Sequence, residues 1–95
     1  MAAYIFVNIE VKDPDRYAAY IRMAPASIAQ FGGTYIARGG RSETLEGISE
    51  AKRVVLLKFD TYERAKAWWS SDEYAAARAL RLSCAAADMI LVEGT

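Results

Sequence analysis

With 95 residues, 54% of them apolar, the chain has material for one core and not for two. Basic and acidic residues balance at 12 each, with a pI near 6.2, so the electrostatic footprint of a nucleic-acid binder is missing. Histidine is absent and cysteine occurs once, at Cys84, which excludes imidazole proton shuttles, histidine-ligated haem or metal, and an intrachain disulfide.

The first predicted strand runs from Ala3 to Val11. Asp13 is a good N-cap and Pro14 suits the first helical position, so a helix begins there and presents Tyr17, Tyr20, Ile21, Ala24, Ile28 and Phe31 along one face. Pro25 lies inside it and removes a backbone donor, which predicts a kink or short break near Ile21 to Ala24. Gly32-Gly33 supplies the left-handed stop. A second strand, Thr34 to Arg41, passes through Gly39-Gly40, a pair suited to a bulge or a close backbone approach. Polar turn material follows from Ser42 to Glu50, and a third strand spans Lys52 to Asp60.

Asp60 or Thr61 then caps a second helix, with Glu63 placed to complete a box from Asp60, and Ala65, Trp68 and Trp69 form its apolar side. Ser70-Ser71-Asp72-Glu73 reads as another capping box, so this helix breaks and restarts before Tyr74 to Leu82. The fourth strand is Asp88 to Glu93. Strand, helix, strand, strand, helix, strand is the order of the split βαβ unit. The expected fold is therefore α+β and ferredoxin-like, with two helices on one face of a four-stranded antiparallel sheet.

Tyr4-Ile5-Phe6-Val7, Val54-Val55-Leu56-Leu57 and Met89-Ile90-Leu91-Val92 are apolar on both faces of a strand. A strand covered on one side usually alternates, whereas continuous runs mark a sheet buried above and below. Two helical segments supply only one layer of cover. The expectation is one domain, residues 1–95, that forms a homodimer through its open sheet face. No stretch reads as a signal peptide or as the roughly 20 apolar residues that span a bilayer, so neither membrane nor nucleic acid is an expected partner, and the expected location is cytoplasmic.

The residues also resemble a known family, the small bacterial proteins grouped as domain of unknown function 1330 within the dimeric α/β-barrel superfamily. The resemblance covers nearly the whole chain. It is carried by Ala3-Tyr4, Asp13-Pro14, Pro25, Gly32-Gly33, Tyr35-Ile36-Ala37-Arg38-Gly39-Gly40, Leu45-Glu46-Gly47, Arg53-Val54-Val55, Phe59, Ala67-Trp68, Ser71 with Glu73-Tyr74, Arg81 and Leu91-Val92-Glu93-Gly94. Where the family often has proline after the serine, this chain has Asp72. The resemblance implies a ferredoxin-like subunit pairing sheet to sheet into a barrel and brings no established activity. Relatives in the superfamily include cofactor-free monooxygenases, haem enzymes and isomerases.

Cys84 has no histidine to activate it and lies among small apolar residues, which reads as packing. Ser71 reads as a cap and not a nucleophile. Neither glycine pair fits a phosphate-loop spacing, and the predicted central strands lack the basic, aromatic-studded character of RNA-recognition domains. Arg38 and Arg53 on strands and Arg81 late in helix two either clamp an anionic ligand or pair with Glu10, Glu46 or Glu93, the structural pairing being favoured. Tyr35, Trp68 and Tyr74 could line an apolar cleft and offer donors to an oxygen-bearing ligand, although Trp68 reads more as core; Tyr17 and Tyr20 could face a cavity between helix and sheet.

The candidate ligand-binding residues are thus Tyr20, Tyr35, Arg38, Arg53, Trp68, Tyr74 and Arg81. No metal site and no cofactor are expected. The expected function is binding of a small hydrophobic or aromatic compound bearing a carboxylate or keto oxygen. The alternatives are a cofactor-free monooxygenase or isomerase, in which Tyr35 or Tyr74 serves as acid or donor, and a subunit that only assembles.

Overall fold

The structure is a computed structural model that describes residues 1–95. Its elements are β1 (Ala3–Val11), α1 (Pro14–Gln30), β2 (Thr34–Arg38), β3 (Arg53–Phe59), α2 (Tyr62–Ser70), α3 (Asp72–Cys84) and β4 (Ala85–Glu93). The four strands form one antiparallel sheet in the order β2-β3-β1-β4, the arrangement expected of a ferredoxin-like fold. No helix is long and apolar enough to cross a membrane.

Alternation along β1 decides which side is core. Ala3, Ile5, Val7 and Ile9 are buried beneath the helices, and the register sets Phe59, Leu57, Val55 and Arg53 beside them on β3. Tyr4, Phe6, Asn8 and Glu10 point the opposite way, opposite Lys58, Leu56 and Val54 on β3 and Val92, Ile90 and Asp88 on β4. That second face carries an apolar centre left largely uncovered: Phe6 is 40% exposed, Ile90 60% and Val92 54%.

Local chemistry explains the helix limits. The Asp13 side chain accepts from the Arg16 N–H at 3.2 Å, with Pro14 at the first helical position. At the far end the Gly32 N–H bonds to the Ala29 carbonyl and the Gly33 N–H to the Ile28 carbonyl, with Gly32 at φ +78°, which is a Schellman stop. Of the two expected effects of Pro25, the short break near Ile21 to Ala24 does not occur: α1 is continuous through it. The proline leaves the Ile21 carbonyl without its helical donor, and Arg38 Nη2 donates to that carbonyl at 3.4 Å instead.

Other boundaries also differ from the sequence reading. Thr61, not Asp60, caps α2 through the Arg64 N–H at 3.1 Å, which puts Glu63 one position too early to close a box. Ser71 both ends α2 and caps α3, accepting from the Tyr74 N–H at 3.1 Å. The expected break therefore occurs, giving three helices in place of two segments, but Glu73 again sits one position short of a reciprocal box. β2 ends at Arg38 instead of Arg41, and its bulge falls between Tyr35 and Ala37 rather than at Gly39-Gly40. β4 starts at Ala85 rather than Asp88, because pairing with β1 continues as far as Val11.

Gly33 marks the tightest junction of α1 with the sheet. A Cβ there would lie 2.6 Å from the Phe59 ring and 2.7 Å from Ile28 Cγ2, whereas one at Gly40 would meet nothing within 4 Å. Neither neighbour can yield, since Phe59 is fully buried and Ile28 is 3% exposed. Gly33→Ala is expected to cost about 1–3 kcal/mol of stability by overpacking, and Gly40→Ala to cost less. Urea denaturation at one protein concentration measures both.

Candidate functional site

Between α1 and the helix side of the sheet lies a cleft walled by Tyr17, Tyr20, Ile21, Tyr35, Arg38 and Arg53, with Trp68 at its inner end. It encloses ≈ 400 Å³ of unfilled space counting its open mouth, of which ≈ 30 Å³ is wide enough to seat water, room for about two molecules. Apolar side chains make up most of the wall, and no carboxylate contributes to it.

A bulge builds this wall. Tyr35 and Arg38 are three apart, so a regular strand would send them to opposite faces. The irregularity at Ile36 lets Tyr35 oppose Leu57 and Arg38 oppose Val55, both buried on the helix side, and so both side chains reach the cleft. Arg38 Cζ lies 4.4 Å from the Tyr35 ring centroid, and its head reaches α1 through the hydrogen bond to the Ile21 carbonyl.

Arg53 enters from β3 opposite Ile9. Its Nε is buried with no hydrogen-bond partner, and its Cζ lies 5.7 Å from the Tyr17 ring centroid. Gly39, at φ +69°, gives the guanidinium room, since a Cβ at that position would be 2.3 Å from Nη1. Gly39 alone of the pair thus lies against a neighbour, and that neighbour is a side chain where a bulge or a close backbone approach was expected.

Behind the wall, Tyr20 and Tyr74 share a buried hydrogen bond of 2.7 Å between their hydroxyls, and Arg81 Nε donates to the Tyr74 hydroxyl at 3.3 Å. Arg81 is 4% exposed. Trp68, completely buried, donates from Nε1 to Ser27 Oγ at 3.1 Å, and the Ser27 hydroxyl in turn donates to the Ala24 carbonyl at 2.9 Å. The indole stacks 4.2 Å from Tyr74 and 5.6 Å from Phe59, centroid to centroid.

Of the seven sequence candidates, Tyr20, Tyr35, Arg38, Arg53 and Trp68 line the cleft, while Tyr74 and Arg81 stand behind it. Tyr17 also lines it; its helical spacing to Tyr20 was the only signal. Ser27 was missed, because a serine within an apolar helix face gives no sign that it will satisfy an indole. The favoured ion pairs with Glu10, Glu46 or Glu93 do not form within the chain: both ion pairs, Lys12–Glu10 and Lys52–Glu50, are lysine pairs. Glu10 points to the open face and Glu93 lies beside Ala3, at the other end of β1 from Arg53. Cys84 is buried and unpaired, as expected of a packing residue.

Burial raises the pKa of three phenols. Tyr20 is pushed up strongly by burial and then by the neighbouring Tyr74. Tyr17 and Tyr35 are also raised by burial, opposed at Tyr17 by the Arg53 guanidinium beside it and at Tyr35 by Arg38. All three therefore stay protonated donors at neutral pH.

The sequence profile of a family described as Domain of unknown function (DUF1330) matches residues 2–95. No protein with a curated description matches significantly. Among solved structures, a protein of unknown function from Rhodopseudomonas palustris, RPA0582, aligns with TM-score 0.78 at 15% identity, over 99% of this chain and 82% of that one. SnoaB, a cofactor-independent oxygenase from Streptomyces nogalater, aligns with TM-score 0.71 at 8% identity, over 99% and 93%. A protein from Bacteroides fragilis described as dimeric and ferredoxin-like aligns with TM-score 0.57 at 10% identity, over 98% and 96%. At these identities the likeness is one of fold.

The raised phenols make folding sensitive to alkali. A phenol that ionises at about pH 10 when unfolded, and higher when folded, contributes stability that is complete below that pH. Above it the unfolded chain holds fewer protons than the folded one, so stability falls as pH rises. The denaturation midpoint is expected to drop above about pH 10, and Tyr20→Phe to flatten the slope. Denaturant titrations across alkaline pH, paired with tyrosinate absorbance, measure both.

Proposed function

The chain belongs to the DUF1330 family, a membership that assigns no activity, and from its cleft we propose that it binds a small hydrophobic or aromatic compound bearing a carboxylate or keto oxygen. The observation that carries this reading is that Arg38, Arg53, Tyr17 and Tyr35 line an otherwise apolar cleft, with the Tyr20 hydroxyl bonded to Tyr74 behind it. Apolar walls supply affinity and a few placed donors supply orientation. The water-wide part of the cleft is too narrow for an aromatic ring, so entry requires the mouth to widen. Arg38 is the side chain to move: it is exposed, and a single 3.4 Å hydrogen bond holds its head to Ile21.

Turnover is the second reading. A buried Tyr20–Tyr74 pair with Arg81 beside it offers a polarisable wall to a developing negative charge, and SnoaB, a protein of similar fold, is described as a cofactor-independent oxygenase. In this reading Tyr35, the phenol at the cleft, is the hydrogen-bond donor to substrate. A thermal-shift screen of aromatic acids and quinones is expected to raise the melting temperature by mass action. Any hit that is also consumed, with consumption lost in Tyr35→Phe while the thermal shift persists, makes the protein an enzyme. No shift from any compound leaves assembly as its role.

The working form is a homodimer closed through the open sheet face. Phe6, Leu56 and Ile90 stand side by side there, extended by Tyr4, Val54 and Val92 and bordered by Asn8, Lys58 and Asp88. An apolar centre with a polar rim is the anatomy of an interface, and the fold-similar protein from Bacteroides fragilis is described as dimeric. Each Å² of apolar surface hidden contributes about 25 cal/mol. Sedimentation at micromolar concentration is expected to find a dimer for the native chain. Ile90→Asp, which buries an unpaired carboxylate at the centre, should give a folded single subunit or a dimer at least about tenfold weaker.

A further inference from the structure

We infer that the compound held in this cleft is an oxyanion on an apolar body, in the simplest case an aromatic carboxylate, and that Arg53 holds its charge. This rests on the binding reading above and adds to it the ligand's charge and the residue that recognises it.

Guanidinium groups in a protein interior are normally matched by carboxylates, because an unmatched charge away from water is costly. Here neither ion pair contains an arginine, and the cleft wall has no acid. The three arginines are nonetheless not equivalent. Arg38 is occupied by the Ile21 carbonyl and the Tyr35 ring. Arg81 is occupied by the Tyr74 hydroxyl and lies behind the wall. Arg53 has no hydrogen-bonded partner at its buried Nε, and it lines the cleft.

The surroundings of Arg53 are arranged for its head and not for a counter-ion. Gly39 leaves a space that a single methyl group would close, and the ring of Tyr17 flanks the guanidinium. Tyr17 stays protonated at neutral pH, so beside Arg53 it is a second donor to the same oxyanion. A carboxylate seated on the fork would gain a charge-assisted, bidentate contact of the kind arginine geometry favours. A cation would meet only positive charge in this wall, and a neutral ligand would leave the guanidinium unmatched. A multiply charged phosphate ester does not suit a wall that is mostly apolar, Val7, Ile9, Ile21, Val55 and Leu57 among its residues.

The test compares benzoate and naphthoate with their carboxamides, which share shape but carry no charge, by isothermal titration calorimetry of the full chain at neutral pH. The acids should bind about ten- to a hundredfold more tightly than the amides, the range set by one charged hydrogen-bonded contact. Arg53→Gln should abolish that gap while leaving amide affinity in place. Should that variant fail to fold, Arg53→Lys keeps the charge and loses the fork, and should weaken the acids alone. Amides binding as well as acids to the native chain would overturn the oxyanion and leave the binding reading standing. An acid preference that survives both substitutions would overturn the role of Arg53. Binding of neither class would overturn this inference and the reading beneath it together.

Discussion

The buried indole of Trp68 is the constraint from which the architecture follows. Its one polar atom is satisfied by Ser27 of α1, one side of its ring faces Phe59 of β3, and it stacks on Tyr74 of α3. Three elements, α1, β3 and α3, are thus located by one side chain of α2. Emptying a site of this kind costs about 3–5 kcal/mol, a large fraction of the stability of a small domain. The break at Ser71 serves the same contact. By ending α2 and recapping the chain, Ser71 redirects α3 so that Tyr74 can lie 4.2 Å from the ring whose helix it has just left.

Around this fixed centre the cleft is made from departures from regular structure. The bulge at Ile36 turns both Tyr35 and Arg38 inward. Pro25 strips the Ile21 carbonyl of its helical donor, and Arg38 supplies one from the neighbouring strand. Gly39 leaves open the volume that the Arg53 head fills. The bulge and Pro25 act together, since an unbulged β2 would send Arg38 away from Ile21, and separately a side chain at position 39 would displace Arg53 from beside Tyr17. Such irregularities have a local stability cost, and sites of binding are where they are retained.

The fold was legible in the sequence because its causes are local or periodic. Apolar runs named the strands, Asp13-Pro14 and Gly32-Gly33 bounded α1, and the serine pair announced the break between α2 and α3. The errors came where a distant residue decides. Pro25 suggested a kink or a short break, since nothing near it in sequence supplies the missing donor; Arg38 does so from β2, and the helix does not break. Gly39-Gly40 suggested a bulge, but register against β3 moved it to Ile36. β4 was read three residues short because Ala85, Ala86 and Ala87 carry no strand preference and are held by pairing with Val11, Glu10 and Ile9. The arginine ion pairs do not form within the chain because Glu10 points to the open face, Glu93 sits at the far end of β1 from Arg53, and Glu46 lies off the sheet between β2 and β3.

What the cleft can do chemically is bounded by its donors. With no histidine in the chain and no carboxylate in the wall, no side chain lining it is positioned to accept a proton near neutral pH. Phenols raised by burial keep their protons, and guanidinium groups never release theirs. Every polar side chain facing the cavity therefore either donates a hydrogen bond or carries positive charge. Such a wall favours whatever state of a ligand bears the most negative charge on oxygen, and it does so equally for a bound carboxylate and for an enolate formed from a ketone. A compound that arrives ionised is matched by this wall as it stands, whereas one that must first lose a proton has to release it to water or to a base of its own, because the lining supplies none.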